Sequence, residues 1–324
     1  MNDNNNLGNR PSALRSLIQV LSIIIFLCSA GWIFLRYKAE SEPLRPPFDH
    51  ALFREVHADQ QRLLWVRLRT PDTLADLKEI TTRQLELHKA LDAASKNRWR
   101  IGYWLDVRFN GEGEAVISRQ ELLSQPTVEG WPPKPVEIAK TEECQRTGLL
   151  TLPEFAELLM QNTAGSAESA PLLLNLISRR PGLEKRILEI VADSSQPTKA
   201  QLAQARVVFH SESEGILKAL REARPTGIFG TSQATLLQLE MLSHFGLAPL
   251  SKLKADALIS AIEEPLNSGQ PRVRESLINE ARRRRLKVYW GPASDVATAR
   301  RLFDQQVDGV LLNSSEILPS LLTE

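Results

Sequence analysis

The chain has 324 residues, 42% of them hydrophobic, which suits one barrel-sized domain or two smaller ones. Lys+Arg 40 against Asp+Glu 39 gives a net charge of +1, and aromatic residues make up 6%. Neither a global positive field nor a base-stacking surface is present, so a nucleic-acid partner is not expected.

Residues 1–16 read as a short polar tail, Asn-rich over its first ten positions. Leu17 to Leu35, LIQVLSIIIFLCSAGWIFL, carries no charge. As a helix it spans about 28 Å, close to the hydrocarbon thickness of a bilayer, which predicts a transmembrane helix. The alternative is a cleaved signal peptide ending at Cys28-Ser-Ala30, but the apolar run continues through Trp32 to Leu35. Basic residues flank the segment about equally, Arg10 and Arg15 before it and Arg36, Lys38 and Arg45 after it. A short tail, one anchor and a large following domain predict a single-pass membrane protein with that domain on the extracytoplasmic side. Residues 36–50, with Pro43, Pro46 and Pro47, read as a semi-extended juxtamembrane linker. Cys144 is the one cysteine beyond the apolar segment, so the domain cannot hold an internal disulfide.

From 51 to 324 apolar strand-like runs alternate with helix-like runs. The predicted strands are 63–68, 103–109, 171–177, 205–210, 226–230, 255–262, 287–290 and 307–313. The predicted helices are 74–91, one from Leu152, 183–191, 216–223, 235–245, 273–284, 296–305 and one from Ser315. Thr151 and Glu154 form a capping-box pattern. Residues 114–148, holding Pro126, Pro132, Pro133 and Pro135, read as an excursion. Eight alternations predict a parallel α/β fold closed as a (β/α)8 TIM barrel behind one N-terminal transmembrane helix. An open doubly wound sheet is the competitor, and no dinucleotide-type glycine-rich turn supports it.

The segment Gly102-Tyr-Trp-Leu-Asp-Val-Arg-Phe-Asn-Gly-Glu-Gly-Glu-Ala-Val-Ile-Ser-Arg119 reads as a strand, a glycine-bearing turn and a short strand. It resembles the signature of the glycerophosphodiester phosphodiesterase family, roughly Glu-x-Asp-Val, a Thr-x-Asp-Gly-like turn, then Pro-Val-x-x-His-Asp. Leu149 to Leu159, Leu174 to Arg179, Val207 to Ser211, Ala281 to Trp290 and Val307 to Asn313 are similar to further landmarks of that family, in order. The resemblance implies a barrel that hydrolyses glycerophosphodiesters with two histidines and a divalent cation held by acids.

The same alignment of motifs implies that this chemistry is missing. Arg67 stands at the first histidine, Arg119 at the second, Trp104 and Ile177 at metal-binding glutamates, and only Asp106 matches an acid. A guanidinium stays protonated and cannot serve as a base, and one carboxylate is a poor site for Mg²⁺ or Ca²⁺. No metal or other cofactor is therefore expected; Mg²⁺ or Ca²⁺ would enter if the chain were active. Asp106 is the best residual catalytic candidate, or else an acid paired with Arg67, Arg108 or Arg119. His210, at the end of the fourth strand, is a weaker one or a structural histidine. Arg67, Arg69, Arg108, Arg119 and Arg179 fall at strand ends, and strand parity puts Trp104, Asp106 and Arg108 on one side. With Trp104 and Trp290 they are candidate ligand-binding residues for a phosphate-bearing or other anionic ligand; solvated rim charge is the plain alternative. Trp290 is equally a core aromatic. Arg282-Arg-Arg-Arg285 reads as a helix-ending basic run, with a lipid-headgroup patch as its competitor.

Three functions stay open: a catalytically impaired barrel binding an anion or a protein partner, a divergent phosphoric diester hydrolase of lipid metabolism, and a structural interaction module.

Overall fold

A computed structural model describes residues 13–41, 62–68, 81–87, 90, 99–109, 114–117, 150–163, 170–177, 183–192, 207–224, 227–251, 253–261 and 275–322. The N-terminal helix α1 (Ala13–Ser41) contains a span, Leu17–Ala39, of 23 residues and mean hydropathy 2.3. It is long and apolar enough to cross a membrane, and a signal sequence would have the same character. The helix runs six residues into the segment expected to be an extended linker. Arg36-Tyr-Lys-Ala-Glu-Ser41 contains no helix breaker, and the first proline after it is Pro43.

Eight strands run parallel in the order β7, β6, β5, β2, β1, β10, β9, β8. They are β1 (Arg62–Arg67), β2 (Trp99–Phe109), β5 (Leu172–Leu176), β6 (Val207–His210), β7 (Ile228–Phe229), β8 (Ala257–Ala261), β9 (Lys287–Ala293) and β10 (Gly309–Leu312). A parallel bridge between Gly230 and Ala257 joins the outer strands β7 and β8, so the sheet is a near-closed barrel. Each predicted strand appears within a few residues of its expected bounds. The strand at 103–109 begins earlier, at Trp99, because Arg62 to Arg67 pair with Trp99 to Trp104. Its far end turns back as expected: β3 (Ala115–Ile117) pairs antiparallel with β2, and β4 (Leu150–Thr151) pairs with β3.

Helices cover the outside: α2 (Leu152–Thr163), α3 (Leu183–Ala192), α4 (Glu214–Ala223), α5 (Gln233–His244), α6 (Glu275–Arg283), α7 (Val296–Asp304) and α8 (Leu318–Leu322). Residues 81–87 are helical, inside the predicted 74–91 helix, whose remainder lies outside the described residues apart from Ala90. The capping box forms as expected: Glu154 Oε2 accepts from the Thr151 backbone at 3.0 Å, and Glu154 N donates to Thr151 Oγ1 at 3.3 Å. Ser232 and Asp295 cap α5 and α7 by accepting from Thr235 N and Thr298 N.

Helix ends α5 and α6 close alike. After α5, Gly246 (φ 68) is left-handed, Leu247 N donates to Leu242 O, and Gly246 N donates to Ser243 O. After α6, Arg285 (φ 58) repeats the pattern, with Leu286 N on Ala281 O and Arg285 N on Arg282 O. The basic run is thus a helix end. Arg284 donates to the carbonyls of Ala248 and Ser251, Arg282 to those of Gln305 and Gln306, and Arg283 and Arg284 to Glu280.

Strand parity sorts the core. Leu63, Trp65, Leu173, Val208, Ile228, Ala257, Ile259, Tyr289 and Leu311 fill the barrel interior. Alternate residues face the helices in two outer clusters. One, built on Tyr103, Leu105, Val107, Leu174 and Phe209, packs against α2, α3 and α4; the other, on Leu64, Val66, Val288, Trp290 and Val310, packs against α5, α6 and α7.

Candidate functional site

The inward-facing residues at the C-terminal ends of the strands build a small polar network. Arg67 ends β1 and stands in register beside Trp104, while Asp106 stands beside Asn175. Arg67 Nε donates to Asp106 Oδ2 at 2.6 Å, and Asn175 Nδ2 donates to Asp106 Oδ1 at 2.7 Å. Arg67 also donates through Nη1 to Asn313 Oδ1 at 3.3 Å, and its guanidinium sits 4.8 Å from the centre of the Trp104 ring. Both oxygens of Asp106, itself 4% exposed, are thus occupied by donors.

Arg108 lies two residues beyond Asp106 on the same side of β2. It is 6% exposed, and its Nε and Nη2 have no hydrogen-bond partner. Burial pulls its guanidinium below the usual arginine range, and the Asp106 charge pulls it partly back. A buried cation with unfilled donors costs free energy until an anion or water meets it. Among the described residues the mouth therefore presents two arginines against one carboxylate, with two nitrogens of the second arginine unpartnered.

Asn175 and Asn313 were not singled out in the sequence. A signal was available, since Asn175 is the one polar residue in Leu172–Leu176 and stands in register with Asp106. Trp290 lies elsewhere than expected for a cleft residue: it is 1% exposed in the cluster beneath the helices, and Tyr289 takes the inward position. Arg69, Arg119 and Arg179 lie outside the described residues.

His210 is in register with Asn175, yet no described hydrogen bond joins it to Asp106. Its Nδ1 is buried without a partner. Burial pushes the imidazole down to about 4, opposed by a backbone hydrogen bond with Thr231. The folded pKa is below the unfolded one, so this neutral histidine stabilises the fold above pH 6.5. That contribution is lost as pH falls from 6.5 through about 4. Between pH 7 and pH 4.5 the wild type should lose about 2 kcal/mol more than His210→Gln in denaturant titrations. Equal losses would show that His210 titrates normally.

Among the described residues, the donors around Asp106 do not suit a divalent cation. A cation at Asp106 would have to displace Arg67 and Asn175, and the described residues hold no group of three His, Cys, Asp or Glu able to bind a metal.

No family model and no curated protein matches the sequence. Solved structures do match. A phosphodiesterase from Oleispira antarctica, in complex with the product sn-glycerol-3-phosphate, is 16% identical, with a TM-score of 0.52 over 83% of this chain and 99% of that one. The glycerophosphoryl diester phosphodiesterase domain of a Mycobacterium tuberculosis protein is 15% identical, with a TM-score of 0.52 over 81% and 98%. A glycerophosphodiester phosphodiesterase from Agrobacterium tumefaciens is 15% identical, with a TM-score of 0.50 over 82% and 100%. The chain has the fold of the glycerophosphodiester phosphodiesterases. Within that phosphodiesterase-like barrel, Asp106 stands at the mouth in an arginine–amide network.

Proposed function

We propose that this chain is a membrane-anchored phosphodiesterase-like barrel that has lost hydrolysis and binds an anion at its mouth. One observation carries the proposal: among the described residues there, Arg67 pairs with Asp106, while Arg108 is buried with Nε and Nη2 unpartnered. A phosphate or carboxylate group would fill those donors in the forked geometry that guanidinium favours. Arg67, paired with Asp106, is a positioning residue; Trp104 is the floor on which its guanidinium lies. Arg69, Arg119 and Arg179 remain candidates from the sequence alone. Anchoring is proposed on the span Leu17–Ala39.

The test is calorimetric titration of the detergent-solubilised full chain with inorganic phosphate and with sn-glycerol 3-phosphate. Binding should be present in the wild type and lost in Arg108→Met. Because that substitution removes an unsatisfied buried cation, the ligand-free variant should be as stable as the wild type or more stable by about 1 kcal/mol. Equal binding by both proteins would remove Arg108 from the site. In parallel, glycerophosphocholine is incubated with Mg²⁺, Ca²⁺ or Mn²⁺. Turnover that needs metal and disappears in Asp106→Asn would establish a divergent hydrolase instead.

A further inference from the structure

The outward face of α5 differs from an ordinary solvated helix face. Among the described residues outside α1, the large apolar residues with marked exposure are Leu87, Leu237, Met241 and Phe245. Three of these four lie on α5 or its cap, spaced i, i+4, i+8, hence on one face. They are 56%, 60% and 59% exposed. The other exposed positions of this helix are Gln233, Ala234, Gln238 and His244; its one acid, Glu240, is half-buried at the border of the stripe.

The neighbourhood of this stripe names its occupant. The turn after α5 packs against α1 through Ala248–Leu250. Arg36 Nε lies 3.9 Å from where a Cβ on Gly246 would sit, and Ala39, alone among the described α1 side chains, is fully buried. Trp32, Arg36, Tyr37 and Lys38 are the aromatic and basic residues that mark a bilayer boundary, with the Arg36 guanidinium 5.2 Å from the centre of the Trp32 ring. Phe245 and Gly246 therefore sit where α1 leaves the bilayer. From Phe245 the stripe runs back along α5 for about 12 Å. Exposed Lys38, Lys254 and Arg285 belong to the same end of the barrel, where cations meet anionic headgroups.

We infer that α5 lies on the bilayer surface, with Leu237, Met241 and Phe245 sunk into the interface as a second membrane contact beside α1. This rests on the anchoring proposed above. The full chain, carrying Cys28→Ser and Cys144→Ser, is labelled with an environment-sensitive fluorophore at Ile25→Cys, Met241→Cys, Phe245→Cys or Lys218→Cys. Each protein is reconstituted in phosphatidylcholine vesicles containing phosphatidylglycerol, with spin-labelled lipids as quenchers. The expected result is deep quenching at position 25, shallow quenching with a blue shift at 241 and 245, and neither at 218, which is exposed on α4. Quenching at 25 with none at 241 and 245 overturns the inference and leaves the anchor standing. A blue shift at 241 without quenching assigns the stripe to a protein neighbour, such as a second copy, and also overturns it. No quenching at 25 removes the anchor and the inference together.

Discussion

Asp106→Ala should cost the folded chain about 3 kcal/mol or more, because it leaves the Arg67 guanidinium half-buried beside a second arginine with no carboxylate partner among the described residues. Removing one member of a buried pair is far costlier than replacing both by apolar groups of similar volume. The Asn175 amide would lose its acceptor as well, which adds the penalty of a stranded donor. Arg67→Met combined with Asp106→Leu should therefore recover most of the loss. Chemical denaturation of the full chain in detergent, followed by circular dichroism, measures both variants. A single substitution costing under about 1 kcal/mol would mean that the pair is solvated rim charge and not a structural element of the mouth.

The second large effect concerns the barrel interior. Trp65 fills the space directly above Gly102, and a Cβ on Gly102 would stand 2.7 Å from Cε3 and 2.8 Å from Cζ3 of the indole. Trp65 also meets Tyr289 edge to face, with ring centres 5.5 Å apart. Trp65→Ala should cost about 3–5 kcal/mol through the lost ring and the cavity it leaves. Gly102→Ala should cost about 1–3 kcal/mol by overpacking. The two losses should fall short of adding, since the added methyl enters space the ring has vacated. Thermal unfolding of both single variants and the double variant measures that coupling. Strict additivity would show that the indole yields freely to the methyl group.

Much of this architecture is legible in the sequence, for a physical reason. Strands buried on both faces are short, continuous apolar runs, and 171–177 and 307–313 stand out on that ground alone. The same property hides which residues point inward. In Lys287–Ala293 nearly every position suits a core, so nothing in the run tells Tyr289 from Trp290, and Trp290 could be read either as a cleft residue or as the core aromatic it is. Asp106 was legible, with Arg67 as one of three possible arginine partners, but Asn175 was not. Arg67 and Asn175 reach it through the registers of three separate strands, which a single chain's pattern does not state. The end of α1 was missed because apolar content stops at Leu35 while helical propensity continues to Ser41.

The end of the barrel at which α1 joins has a consequence for supply. Residues 246–250 precede β8, so the contact with α1 is at the N-terminal ends of the strands, opposite the network of Arg67, Asp106 and Arg108. α5 runs from the mouth back to that opposite end, along the barrel. With α1 in a bilayer and α5 on its surface, the barrel lies on its side. The arginines then open along the leaflet, at the end away from the anchor, and their cargo would arrive from the side.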